Sequence, residues 1–502
     1  MLIHLRFCRT LGVHIAVAIL FVSVGFGVAQ DTLRIASDVP VQLDPAFAAS
    51  DAEIAVLNTI YDYLVDIDSN NNIAPRLATS WEVSDDGLSY TFNLAEGVTF
   101  HDGSPLTASD VVWTYDRLRD PALELPTADL YANIASIDAL DDTTVSFSLT
   151  ETNPFFLYDL SDNHAFILKA ETADPAADFN GSGPFVVSDY SPENRMSLTA
   201  NESYFIEGKP GVDALEFIFF SDQAASVDAL RGGQVDIVLN MPLALYETLD
   251  VIPGVTAVSV PSNGFDLVRL RADRAPGNDP RVIEAFKLAV DREAIFELVK
   301  NGIGALGQDS PIGPLYDSYY AAELTPTPRD PARARELLAE AGYADGLELT
   351  LHTPDSGDRP DLAVVLQQQL EEAGFVIDIS VEPESVYYGE NGWLEVDLGI
   401  TGWGSRPLPQ FYLDVMVICG ARWNEAKYCN EDVDALASTA GTTLDEAARI
   451  DAYQQIQAIL LESAPFVIPY FFAETAAHAE NVVGFDLQAF VGRTDFAAIS
   501  LQ

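Results

Sequence analysis

Asp330-Pro331-Ala332-Arg333-Ala334-Arg335-Glu336-Leu337-Leu338-Ala339-Glu340-Ala341-Gly342, followed after four intervening residues by Leu347-Glu348-Leu349-Thr350-Leu351, reads as a helix and then a strand. Asp330 can cap the first turn. Pro331 suits the first helical position, where a missing N–H costs nothing. Ala334, Leu337, Leu338 and Ala341 share one face, and Gly342 stops the helix. The pattern repeats at once. From Pro360, Leu362, Val365, Leu366 and Leu370 form an apolar stripe that Gly374 ends. Phe375, Ile377, Ile379 and Val381 then alternate with Val376, Asp378 and Ser380, the period of a half-buried strand. Helix–strand–helix–strand succession predicts an α/β layer.

The same grammar extends in both directions. Asp279-Pro280 opens a helix with Val282, Phe286, Ala289 and Val290 on one face. A helical stretch from Asp222 through Val227 and Leu230 stops at Gly232-Gly233, and a strand over 235–239 follows. Thr443 with Glu446 reads as a capping box, ahead of a face of Ile450, Tyr453, Ile456 and Leu460 closed by Pro465. Residues 73–148 differ: Trp81-Glu82-Val83 and Tyr90-Thr91-Phe92-Asn93-Leu94 flank Ser84-Asp85-Asp86-Gly87 as a hairpin. With 502 residues the chain exceeds one compact core. No low-complexity linker separates its parts, so lobes woven together by crossing strands are expected.

The first thirty residues are of another kind. Arg6 and Arg9 precede an apolar run over 15–26, and Gly27-Val28-Ala29 supplies small residues. That order is a secretory signal, with cleavage expected after Ala29 or Gln30; an uncleaved anchor is the alternative. Removal takes Cys8 away and leaves Cys419 and Cys429, an even pair that reads as a disulfide in an exported chain. The loop they close carries Trp423.

Net charge is −51, with only five lysines, Lys169, Lys209, Lys287, Lys300 and Lys427. Binding to nucleic-acid phosphates is excluded by that balance. The scatter of acids fits a solvated surface and, more sharply, a chain adapted to salty water.

No enzyme constellation emerges. The chain lacks a Gly-x-Ser-x-Gly elbow, a His-Glu-x-x-His pair and a Walker loop. His101, His164, His352 and His478 stand far apart in no ligand spacing. His101-Asp102-Gly103 reads as a turn after Phe100, against a metal corner. Gly181-Ser182-Gly183-Pro184 reads as a tight backbone turn, since Phe185-Val186-Val187 continues as a strand where an anion loop needs a helix. No metal or cofactor is expected.

Ordered blocks along the chain carry a resemblance. They are Ala74-Pro75-Arg76-Leu77-Ala78-Thr79-Ser80-Trp81-Glu82-Val83-Ser84-Asp85-Asp86-Gly87, Gly97-Val98-Thr99-Phe100-His101-Asp102-Gly103-Ser104-Pro105-Leu106, Gly181-Ser182-Gly183-Pro184-Phe185, Asn201-Glu202-Ser203-Tyr204-Phe205, Gly233-Gln234-Val235-Asp236 and Ala289-Val290-Asp291-Arg292. With these the chain resembles family 5 of the bacterial extracellular solute-binding proteins, the dipeptide and oligopeptide type, over roughly 33–485. The resemblance implies an α/β, two-lobed periplasmic binding protein fold (type II, cluster C) with an extra β-rich subdomain in lobe one. Lobe one would comprise 31–76, 183–264 and 479–502, the subdomain 77–182, and lobe two 265–478. It implies a monomer that encloses a small-molecule or peptide ligand between its lobes and delivers it to ABC transporter permease subunits in the inner membrane.

The resemblance also places the stretch from Trp403 to Tyr412 at the cleft. Relatives that bind peptides usually carry an acidic Asp-Pro-Asp-like element after the tryptophan, which meets the peptide ammonium. Arg406-Pro407-Leu408 stands there instead. Arg271 replaces an asparagine common in relatives, and Arg269 lies two residues away on the same strand face. Three arginines near the cleft would favour an anionic group; equally, Arg269 and Arg271 would pair with Asp266 and Asp273. The ligand-facing candidates are therefore Trp403, Arg406, Arg271, Arg269, Tyr388, Phe411 and Tyr412, with Asp51 or Asp414 as substitute acids for an ammonium. A peptide receptor, a receptor for an anionic, opine-like or sugar-derived solute, a sensory or chaperone-like binding protein, and a secreted hydrolase remain the competing readings.

Overall fold

The computed structural model describes residues 31–502 apart from 70, 126, 242, 250, 251, 390 and 391. The secretory signal and its cleavage point lie outside the described residues.

A twelve-stranded sheet runs through the described residues. Its organising element is the strand Val255–Leu270, sixteen residues and so about 50 Å long. The first half pairs antiparallel with Tyr470–Ala479, from Val255 opposite Ala479 to Pro261 opposite Ala473. The second half pairs antiparallel with Leu398–Trp403, from Phe265 opposite Trp403 to Leu270 opposite Leu398. One strand thus belongs to both lobes. The register breaks between Pro261 and Phe265. There the freed backbone groups are met by side chains: Gly264 N–H donates to Ser262 Oγ (3.3 Å) and Asn263 N–H to Ser405 Oγ (3.1 Å).

On the lobe-one side the sheet continues through Ile237–Val238, Thr32–Asp38, Ala214–Phe220, Arg195–Ala200 and Phe185–Ser191. On the lobe-two side it continues from Leu398–Trp403 to Leu347–Pro354 and Phe375–Glu382, which are parallel neighbours. The quoted helix–strand units form this second half. Asp279, Asp330 and Asp222 each cap the expected helix by accepting a backbone N–H. The strand expected over 235–239 is shorter, Ile237–Val238. The capping box at Thr443 is corrected: Thr443 closes the preceding helix, Glu431–Thr442, and Asp445 caps Glu446–Ser463 by accepting from Ala447 and Ala448. The alternation over 375–381 fades at its end, where Val381 is exposed at this edge of the sheet.

Strands Ala78–Val83, Ser89–Leu94, Thr144–Leu149 and Ile134–Asp141 form a separate antiparallel sheet in the order 78–83, 89–94, 144–149, 134–141. Its core, with Phe92, Tyr115 and Phe147, is continuous with that of Leu33, Ile35 and Phe217. The β-rich insert is therefore fused to lobe one. Lobe two has a core on each sheet face: Val268, Phe286, Leu337 and Leu366 on one, Phe265, Trp403, Tyr412 and Tyr453 on the other.

The two sequence turns behave as read. Gly183 N–H donates to Ile60 O at 2.8 Å, and a Cβ on Gly181 would lie 1.9 Å from that same oxygen, so only glycine fits the approach. His101 sits in a turn with its ring nitrogens 3.0 Å from Gly183 O and 3.4 Å from Phe179 O.

Candidate functional site

Strand alternation sends neighbouring residues of the crossing segment to opposite faces. Phe265, Leu267 and Arg269 face the Trp403 side, while Asp266, Val268 and Leu270 face the other. The two faces have different chemistry.

On the Trp403 face the charges are internal. Arg269 is fully buried, with Nε donating to Glu425 Oε2 (3.1 Å), Nη1 to Val396 O (2.8 Å) and Nη2 to Trp393 O. Glu425 also accepts from Thr401 Oγ1 (2.7 Å) and Trp403 Nε1 (3.2 Å). Trp403 is 7% exposed and packs within 6.1–6.5 Å, centroid to centroid, of Phe265, Trp393, Tyr412 and Trp423. Tyr412 is buried and shares its one hydroxyl proton between Gly404 O (2.7 Å) and Asn263 O (3.1 Å), tying the stretch after Trp403 to the register break. Arg271 is clamped by Asp273 (2.7 Å) and Glu395 (2.6 Å). Of the two expected arginine–aspartate pairs, Arg271–Asp273 forms, while Arg269 takes Glu425 and leaves Asp266 to Arg359.

Arg406 is placed differently. It is exposed, its guanidinium lies 4.7 Å from the Phe411 ring centroid, and no carboxylate among the described residues is within ion-pair distance. Phe411 is half-buried and packs on Trp423 at 6.4 Å. Tyr388 is 38% exposed and stands edge-on to Trp393. Cys419 and Cys429 are bonded, and their loop presents Trp423 and Glu425 to this wall.

The opposite face opens into a cavity of about 370 Å³ that both lobes line. Asp51 and Asn240 come from lobe one, Lys300, Asp358 and Arg359 from lobe two, and Glu474 from the crossing strand Tyr470–Ala479. None of the seven ligand-facing candidates lines it, whereas the substitute acid Asp51 does. Asp414 is elsewhere, accepting from Gln410 Nε2 at 2.8 Å.

Two of the cavity's acids are already paired. Arg359 Nε donates to Asp266 at 2.8 Å, and Tyr470 donates to the same carboxylate at 2.7 Å. Arg359 lies flat on Gly402, where a Cβ would come within 1.8 Å of Nη2. Lys300 donates to Asp358 at 2.7 Å while resting 5.0 Å from the Tyr470 ring centroid and 4.8 Å from that of Phe472. Asp51 and Glu474 have no cation among the described residues within ion-pair distance. Burial first, then the charge of Asp51, raise the Glu474 carboxyl to about 7 against a hydrogen bond from Ser262. Burial also raises Asp51. The cavity therefore carries four carboxylates against two cations, with the surplus at Asp51 and Glu474.

Arg359, Lys300 and Glu474 were missed from the sequence. Arg359 carries no mark there beyond preceding Pro360, and Glu474 none beyond its place in an apolar run. Among the described residues no group of three or more histidine, cysteine, aspartate or glutamate side chains is arranged to hold a metal. No helix among them is long and apolar enough to cross a membrane.

Comparison with known proteins agrees with the architecture. The family model described as bacterial extracellular solute-binding proteins, family 5 middle, matches residues 72–423. Di/tripeptide-binding protein 1 of Pseudomonas aeruginosa (strain UCBPP-PA14) is 30% identical over 463 residues, 85% of this chain and 86% of that protein. Glutathione-binding protein GsiB of Escherichia coli (strain K12) is 27% identical over 464 residues, 88% of this chain and 89% of that protein. The oligopeptide-binding protein AppA of Bacillus subtilis, solved with a nonapeptide, superposes with a TM-score of 0.75 at 25% identity, covering 94% of this chain and 99% of that one. The fold is that of a two-lobed type II periplasmic binding protein. A strand shared by two lobes, a charged cavity between them and a family match over most of the length converge: the chain belongs to family 5 of the bacterial extracellular solute-binding proteins.

Proposed function

We propose that the protein is the exported receptor of an ABC importer, non-enzymatic, capturing a peptide or peptide-like solute that carries a free amino group. The observation that carries this reading is the surplus of Asp51 and Glu474 in the interlobe cavity. An ammonium between them relieves their mutual repulsion and supplies the hydrogen-bond donors that a buried carboxylate needs. The similar di/tripeptide-binding and glutathione-binding proteins support the solute class. Lobe one (31–76, 183–264 and 479–502, with 77–182 as its subdomain) and lobe two (265–478) close on the solute. The closed surface is what the permease subunits recognise. The protein acts as a monomer in the periplasm after removal of residues 1–30.

One observation favours an anionic solute as a second reading. Arg406 is the exposed guanidinium of the Trp403 stretch and faces no carboxylate within ion-pair distance among the described residues. Arg269 and Arg271 are neutralised in place, so the wholly anionic solute loses two of its three arginines. Arg406 does not line the cavity that holds Asp51 and Glu474, so an anionic group at Arg406 is a separate reading from the ammonium at those two acids.

Native mass spectrometry of the purified protein identifies what co-purifies. Calorimetry of the stripped and refolded chain against trialanine and N-acetyl-trialanine then tests the ammonium. Acetylation is expected to abolish binding, and losing one enclosed charge contact costs about 2–5 kcal/mol. Equal binding of both compounds overturns the reading.

A further inference from the structure

Phe155 and Phe156 are adjacent in sequence and buried in different bodies. Phe156 packs on Tyr90 (4.8 Å between centroids) and Phe147 (5.6 Å), inside the core that the β-rich insert shares with lobe one. Phe155, only 6% exposed, belongs to the lobe-two core with Tyr316, Tyr412 and Tyr453. Arg449 covers it from the helix Glu446–Ser463, its guanidinium 5.4 Å from the Phe155 ring centroid. That guanidinium is itself fixed by donation to Tyr319 Oη (3.0 Å) and Thr443 O (3.0 Å).

The turn that presents Phe155 is braced by the Asn153 side chain. Asn153 Oδ1 accepts the Phe155 N–H at 2.9 Å, and Asn153 Nδ2 donates to Asp159 at 2.6 Å. Smaller contacts bridge the same two bodies. Thr152 Oγ1 donates to Thr442 O (3.5 Å), Asn71 Nδ2 donates to Pro407 O (2.6 Å), and Leu444 lies directly on Gly87. None of these residues lines the charged cavity.

We infer that Phe155 is a latch residue that sets how tightly the cleft holds its solute without touching it. The inference rests on reading the chain as an interlobe receptor. Burial of the Phe155 ring in lobe two exists only while the lobes are together, so its apolar contribution belongs wholly to the closed arrangement. A solute that needs the closed arrangement binds with an affinity scaled by that arrangement's population. Phe155 is thus a positioning residue, and Arg449 is its counterpart on lobe two.

Small-angle X-ray scattering of the chain stripped by unfolding and refolding tests the latch without any ligand. The wild type and Phe155→Leu are expected to share one radius of gyration, and Phe155→Ala to shift to a larger one. With trialanine as probe, Phe155→Ala is expected to release the peptide several-fold faster with its association rate unchanged. A residue that only stabilised lobe one would lower the melting point and leave both readouts in place. Should Phe155→Ala fail to fold, Arg449→Ala opens the same contact from lobe two and carries the same expectation. Superposable scattering curves for wild type, Phe155→Ala and Arg449→Ala overturn the latch. Failure of trialanine to bind the wild type counts against the peptide reading alone, and the scattering result still decides the latch.

Discussion

The indole N–H of Trp403 donates to Glu425 Oε1 at 3.2 Å, and Glu425 stands inside the loop that Cys419 and Cys429 close. The same carboxylate receives Arg269 and Thr401. A short cross-linked loop therefore orients the indole of Trp403, and the buried guanidinium of Arg269 depends on the same loop.

Glu425→Ala leaves Arg269 buried without its counter-charge. The expected loss is about 3–5 kcal/mol of stability. Arg269→Met with Glu425→Leu is expected to recover most of it, because a well-packed apolar pair avoids the desolvation of both charges. Denaturant unfolding of the single and double variants checks this; a single variant within 1 kcal/mol of wild type, roughly the value of a surface pair, contradicts it.

Replacing Cys419 and Cys429 with serine is expected to cost about 2–3 kcal/mol, the entropy of a short closed loop in the unfolded chain. Trp423 and Glu425 lie in that loop and Trp423 packs on Trp403, so near-ultraviolet circular dichroism of this tryptophan pair is expected to change as well. Thiol titration of the denatured, unreduced protein is expected to find no free thiol at these positions.

The Glu474 carboxyl is raised to about 7 by burial and by Asp51, above its ordinary 4.5. The folded state therefore holds this proton more tightly than the unfolded one. Its contribution to stability is full below about pH 4.5 and is lost as pH rises through about 7. Glu474→Gln removes that dependence. Relative to the variant, the wild type is expected to lose up to about 3 kcal/mol between pH 5 and pH 8. Affinity for an amino-bearing solute moves the other way, strengthening in the wild type as Glu474 ionises and staying level in Glu474→Gln. Parallel stability curves for the two proteins contradict the assignment.

A net charge of −51 repels itself over the whole surface. The thermal midpoint is expected to climb from low to molar sodium chloride as the screening length falls from about 30 to about 3 Å. A flat or falling midpoint removes the support for adaptation to salty surroundings.

The exported product is expected to begin at Gln30 or Asp31, from the basic, apolar and small-residue order of the leader. Amino-terminal sequencing of the periplasmic fraction checks this; a membrane-held product beginning at Met1 contradicts it.

The helices opened by Asp222, Asp279 and Asp330 were legible because a cap and its target N–H lie within three residues. Residues 443–446 misled for the same local reason: Thr443 and Asp445 both offer an oxygen to a nearby amide. The preceding helix claimed Thr443 as its own end. The family blocks were legible for a different reason: they include positions such as Gly181 and Gly183, where a Cβ would collide with the Ile60 backbone and only glycine fits.

The sequence by itself determined the α/β succession, the β-rich insert, the cysteine pair and the family. Each of these is written in local periodicity, spacing or ordered motif. Only the tertiary structure decided what the arginines do. Arg269 finds Glu425 at a separation of 156 residues and Arg359 finds Asp266 at 93, so neither pairing has a local signature. The same holds for Asp51 and Glu474, and for the parting of Phe155 from Phe156. A charge in the interior takes the partner that topology brings within about 3 Å, because leaving it unpaired there costs several kcal/mol, and that partner is set by how the sheet crosses between the lobes.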